Sequence, residues 1–168
     1  MPVATICASW LSRQLSFEAM IEPGSPAPGF SLADHDGNAV SLEDFAGRRV
    51  VMAFYPLDFS AVCTDQLSIY QEVLGQIEER GATMLGISVD GHWTHRAFQE
   101  GLGIEIPLLA DFHPKGEVAA AYGAYLPDHG TSNRSLVLID EEGVVRWVHE
   151  SPSPLEIPGA NLIFDALG

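Results

Sequence analysis

Two kinds of apolar pattern alternate along this chain. In Arg49 to Tyr55 (RVVMAFY) and Ala82 to Asp90 (ATMLGISVD), apolar residues follow one another almost without a break, as in strands covered on both faces. Between them, Leu67, Tyr70, Leu74 and Ile77 return at spacings of three and four. That period predicts a helix capped by Ser60, running to about Arg80 and stopped by Gly81. FSLADHDGNAVSL predicts two short strands joined at Asp36-Gly37. Further on, HWTHRAFQEGLG predicts a helix with a glycine stop, IPLLAD a short strand and GEVAAAYG a short helix. SLVLID, the Glu142-Gly143 turn and VVRWVHE predict a hairpin, and GANLIFDALG a closing helix. The order describes an α/β domain, a central mixed β-sheet flanked by helices on both faces. Upstream, the apolar residues from Val3 to Leu11, with Phe17 and Met20, read as a leader over residues 1–21, either a short helix or disordered. Prolines 23, 26 and 28 mark the boundary, which leaves 22–168 as the domain.

Composition narrows the functional classes. With 168 residues, 46% of them hydrophobic, the chain can bury a real core as one domain. Its 23 acidic against 8 basic residues give a net charge of -15, which repels phosphate backbones and anionic lipid, so neither nucleic acid nor a membrane surface is an expected partner. Two cysteines cannot form a disulfide framework, as expected of a reducing, cytoplasmic setting. No base precedes the leader's apolar run, the first being Arg13, which argues against a secretory signal. No stretch approaches the ~20 apolar residues of a membrane span.

Each cysteine therefore needs its own explanation. Cys63 falls where the buried strand hands over to the long helix, in YPLDFSAVCTDQ. With Ser60 as cap it lies in the first helical turn, where free N–H groups and the positive end of the helix dipole favour an anion. A cysteine there can fall from ~8.5 to ~7 or below if a cation also approaches. The alternative is a small buried residue filling the helix–strand interface.

Pro56, Ser60 and Cys63 form P-x-x-x-[S/T]-x-x-C, and here the sequence resembles the peroxiredoxins, thiol peroxidases of thioredoxin-like fold. The likeness continues through ISVDGHWTHRAFQEGLGIEIPLLADFHPKGEVAAAYG and NRSLVLIDEEGVVRW, from about residue 22 to the end. It implies that Cys63 is the peroxidatic nucleophile and that Arg134, six residues before Asp140, is the active-site arginine. Ser60 stands where threonine is commoner, as a hydroxyl donor with a freer rotor. Pro56 walls the pocket without adding an N–H. Gln66 stands where a glutamate or another polar residue orients the arginine. A peroxide is the implied substrate, and a homodimer meeting beside the site the implied assembly.

No cysteine follows Cys63, and Ser68 occupies the place where one subgroup keeps its resolving thiol. Cys7 is the one intramolecular alternative as resolving cysteine. The expected route uses one cysteine, similar to a small actinobacterial subgroup, with an external thiol or a thioredoxin-like or mycoredoxin-like protein as reductant. No cofactor is implied. His92 and His95 stand three apart without a third metal ligand at a recognisable spacing, and DHDGN lacks the closing glutamate of a calcium loop. No glycine-rich phosphate loop, G-x-S-x-G elbow or C-x-x-C pair occurs. The rival reading is a non-catalytic thioredoxin-fold redox sensor or binding protein.

Overall fold

The computed structural model describes residues 19–168. Cys7 and the apolar run around it lie outside the described residues. Among the described residues nine strands and four α-helices follow one another: β1 Ser31–Asp34, β2 Ala39–Ser41, β3 Arg49–Phe54, α1 Ala61–Glu79, β4 Ala82–Ser88, α2 His92–Leu102, β5 Leu108–Ala110, α3 Glu117–Ala121, β6 Tyr125–Leu126, β7 Thr131–Ser132, β8 Ser135–Ile139, β9 Val145–Glu150 and α4 Ala160–Leu167. Seven strands make one mixed sheet in the order β2-β1-β5-β4-β3-β8-β9. Its centre is parallel, with Met52 opposite Leu85 and Ile87 opposite Leu109. β8 runs antiparallel to β3, Met52 facing Val137.

The near-continuous apolar runs occupy the middle of the sheet, where both faces need covering. On one face Val51, Ala53, Leu136 and Leu138 pack against Leu67, Leu74 and Ile77 of α1, Phe98 of α2, and Ile163 and Leu167 of α4. On the other, Val50, Met52, Val137 and Ile139 meet Phe30 and the α3 residues Val118 and Ala119, with Tyr122 just beyond. The chain entering the domain joins this second face. Met20 and Ile21 pack there, and the Ile21 N–H donates to the Tyr122 carbonyl at 3.0 Å.

Two elements differ from the sequence reading. Leu42, read as strand, begins a 3-10 turn over Leu42–Phe45, because the Asp44 carboxylate accepts from the Ser41 N–H at 2.7 Å and pulls the backbone round. The ribbon of β6 and β7 has two residues a side, too few to carry a period. Otherwise the parallel order settles where chemistry can gather. The segments leaving β3, β4 and β5 all emerge at one end of the sheet, where open α/β sheets place their ligands.

Gly123 fastens the entering segment. It ends α3 at φ +73°, and a Cβ built on it would stand 2.2 Å from the Ala19 carbonyl oxygen. Gly123→Ala combines left-handed strain with a backbone clash, so it is expected to cost about 2 kcal/mol and lower Tm by roughly 4–8 °C, read by scanning calorimetry.

Candidate active site

β3 ends at Phe54, and the buried Tyr55 leads into the loop Pro56 to Ser60. Pro56 brings a fixed φ and no N–H, so the strand cannot continue there. Phe59 takes a left-handed backbone at φ +60°, unusual for a bulky residue, and turns the chain sharply into α1. Ser60 is the N-cap, its hydroxyl oxygen accepting from the Cys63 N–H at 3.4 Å. The lone pair does the capping, which leaves the hydroxyl hydrogen free to point elsewhere. No acidic side chain enters the first turn of α1, so the dipole there is uncompensated.

Cys63 is the third residue of the helix and fully buried. Its surroundings are divided. Val51, Ala53 and Leu67 belong to the same core cluster, yet Nη2 of Arg134 lies 3.4 Å from its Sγ. The arginine sits immediately before β8 and is itself 2% exposed. Its other two nitrogens are engaged as well: Nη1 bonds Gln66 Oε1, and Nε bonds the Pro154 carbonyl at 2.9 Å. Among the described residues no carboxylate forms a salt bridge with it. Among the described residues, the Cys63 sulfur is thus the acidic group in hydrogen-bond contact with this buried guanidinium.

A further layer holds the arginine's holders. Gln66 Nε2 donates to the Tyr70 hydroxyl at 3.2 Å, and Tyr70 donates to the Pro158 carbonyl at 2.8 Å. Burial pushes the Tyr70 hydroxyl up to about 12, against the opposing pull of Gln66 and Arg134, so it stays a donor at neutral pH. The segment from Ser151 to Pro158 is therefore strapped to the site through Arg134 and Tyr70, with the Ser151 N–H also on the Arg134 carbonyl at 2.9 Å.

Of the residues singled out in the sequence, Cys63, Arg134 and Gln66 are in direct contact, and Ser60 caps the turn that carries the sulfur. Asp140, whose spacing from Arg134 was part of the motif, closes the β8–β9 turn, accepting from the N–H groups of Glu142 and Val144 and from Arg146. His92 and His95 diverge: the ring of the first lies tilted beside Trp93, and the second is buried against Asp58. Among the described residues no three His, Cys, Asp or Glu side chains are grouped to hold a metal. Reading by residue type missed Tyr70, which had been assigned to the apolar face, although its place four residues after Gln66 was the available signal. It also missed the carbonyls of Pro154 and Pro158, which no side-chain pattern marks.

Comparison with known proteins places the chain in a family. The AhpC/TSA family model matches residues 23–148. The chain belongs to that family. It is 34% identical over 149 residues to alkyl hydroperoxide reductase E of Mycobacterium tuberculosis, covering 88% of this chain and 97% of that protein. It is 34% identical to peroxiredoxin-1 of Gallus gallus, over 79% of this chain and 71% of the relative. Among solved structures, the peroxidoxin BcpB of Mycobacterium tuberculosis aligns with a TM-score of 0.77 at 27% identity, over 88% of this chain and 96% of that one. The thioredoxin-like fold expected from the motif is the one observed in these family members.

Tyr70→Phe removes the hydroxyl that joins Gln66 to the Pro158 carbonyl, leaving both short of a buried partner. The expected cost is about 1–2 kcal/mol, read as a lower denaturation midpoint with an unchanged m-value.

Proposed function

We propose that this family member is a thiol-dependent peroxidase in which Cys63 reduces hydrogen peroxide and organic hydroperoxides. The observation that carries the reading is the Arg134 guanidinium 3.4 Å from Sγ, with no carboxylate in a salt bridge to it among the described residues. As thiolate, the sulfur attacks the terminal oxygen of R–O–O–H. The S–O bond forms as the O–O bond breaks, and the electron pair leaves on the RO oxygen, which takes a proton and departs as alcohol or water. Cys63 is left as sulfenic acid.

Two demands limit that step: keeping both oxygens in line with the sulfur, and stabilising the charge that moves to the leaving oxygen. Arg134 meets both, because its fork is held rigid by Gln66 and the Pro154 carbonyl and cannot swing away as charge shifts. Ser60 contributes its free hydroxyl hydrogen, and Pro56 closes the wall without offering a competing donor.

Recovery follows a one-cysteine route. An external thiol attacks the sulfenic acid and releases water. A second thiol then reduces the mixed disulfide, restoring Cys63. A reducing cytoplasm supplies such thiols, whether small molecules or a thioredoxin-like or mycoredoxin-like protein. Cys7 as resolving partner is the alternative outcome.

A homodimer meeting beside the site suits the surface. Leu57, Phe59, Trp93 and Phe112 are exposed by 41, 61, 71 and 61%, and all lie just past the ends of the three parallel strands. In a chain this acidic, such uncharged apolar side chains are where two copies meet with least repulsion. Light scattering is expected to give twice the monomer mass for the wild type and a shift toward the monomer for Trp93→Glu.

Rapid mixing with peroxide tests the activity. Tryptophan fluorescence of the wild type is expected to change far faster than free cysteine oxidises at the same pH, and Cys63→Ser is expected to give no change. A wild-type rate equal to that of free cysteine would favour the redox-sensor reading. Intact mass after one equivalent of peroxide separates the routes: one added oxygen in both wild type and Cys7→Ser fits the one-cysteine route, and loss of two hydrogens in wild type alone identifies Cys7 as the resolver.

A further inference from the structure

Beneath the loop that carries Pro56 and Ser60 lies a buried polar cluster with no part in the chemistry described so far. Asp58 is the midpoint of that loop, and its side chain is fully enclosed. One carboxylate oxygen accepts from the Tyr55 hydroxyl at 2.7 Å, and the other lies 2.8 Å from His95 Nδ1. The loop is held at the same residue through its backbone, the Asp58 N–H donating to Asp90 Oδ2 at 2.9 Å. Asp90 is itself fixed by the Ser88 hydroxyl at 2.7 Å. His95, buried on α2, reaches with Nε2 to the Leu109 carbonyl of β5 at 3.1 Å. Both ring nitrogens are thus engaged, Nδ1 at the Asp58 carboxyl group and Nε2 at the Leu109 carbonyl.

The tethers run sideways across the sheet. Tyr55 follows β3, Ser88 and Asp90 lie at the end of β4, and Leu109 is in β5, so Asp58 is braced against three strands and α2. The next residue, Phe59, holds its left-handed turn with its ring 5.0 Å from that of Phe98, one helical turn after His95. Ser60 then caps the helix that carries Cys63. Nothing else on the loop side chains between Pro56 and Ser60 reaches the sheet with comparable bonds. Burial, then the nearby Asp58 carboxylate, drive the Tyr55 hydroxyl well above its ordinary 10, so it remains a donor to that carboxylate.

We propose that His95, acting through Asp58, is a positioning residue for peroxide reduction: the Tyr55–Asp58–His95 lock sets where Pro56 and Ser60 stand relative to the Cys63 sulfur. This rests on the peroxidase reading above. The lock acts on alignment of the substrate and leaves the Arg134–sulfur contact in place, because none of its members hydrogen-bonds Arg134 or Cys63.

Two reactions of the same sulfur separate alignment from stability. Peroxide needs both oxygens held in line, whereas iodoacetamide needs only a reachable, reactive thiol. In His95→Gln, one amide cannot serve Asp58 and Leu109 together. Its rate constant with hydrogen peroxide is expected to fall by about 10–100-fold, while alkylation by iodoacetamide stays within about threefold or rises as the loop loosens. Tyr55→Phe, which deletes only the 2.7 Å donation, is expected to show the same selective fall at smaller size, and it decides the matter if His95→Gln does not fold. Peroxide rates within threefold of wild type in both variants, or peroxide and alkylation rates that fall in equal proportion, would overturn the lock. A wild type that oxidises no faster than free cysteine would instead overturn the peroxidase reading, so the two failures are distinguishable.

Discussion

A buried guanidinium that pairs with no carboxylate among the described residues organises the functional end of this protein. Removing an arginine from water costs several kcal/mol unless an anion or a full set of acceptors replaces the solvent. At Arg134 the acceptors are an amide oxygen, a backbone carbonyl and the Cys63 sulfur. The first two are neutral, so they fix direction without cancelling charge. A glutamate in place of Gln66 would share the cation with the sulfur, whereas the amide leaves that charge undivided between the sulfur and an incoming peroxide.

Holding such a cation demands a rigid frame, and the sheet provides it. Arg134 enters β8, which pairs with β3, and β3 ends in the loop leading to Cys63. Both sides of the Arg134–sulfur contact therefore descend from adjacent strands, with Phe54 opposite Ser135 at the last rung. The same parallel order brings the ends of β4 and β5 alongside, where Asp90, His95 and Leu109 brace the loop from the other flank. The Ser151–Pro158 segment closes the remaining side through the Pro154 and Pro158 carbonyls. Function and fold meet in a few hydrogen bonds at one end of the sheet, while the apolar bulk beneath keeps those bonds from drifting.

Which parts of this were legible in the sequence follows from the range of each interaction. The buried strands and the long helix carried their own periods, and Ser60, Cys63 and Gln66 took meaning from their places in the first two helical turns. Arg134 was recognisable because a cation directly before an apolar strand invites explanation, and the motif resemblance supplied one. The 3-10 turn was missed although Ser41 and Asp44 stood at capping distance, since Leu42 extended an apolar alternation convincingly. Tyr70 passed for core because an aromatic on the buried stripe of a helix usually is core. Asp58 and His95 lie 37 residues apart, and only the adjacency of strand ends brings them together. Backbone carbonyls such as that of Pro154 leave no trace in residue type at all.

The most direct test of the central claim replaces the charge and keeps the reach. In Arg134→Gln the amide can still bond its neighbours but brings no cation to the sulfur. The second-order rate constant for hydrogen peroxide, followed by stopped-flow fluorescence, is expected to drop by about 10²–10³ relative to wild type. A rate within a factor of a few of wild type would contradict the account, because the sulfur would then owe its reactivity to the helix alone.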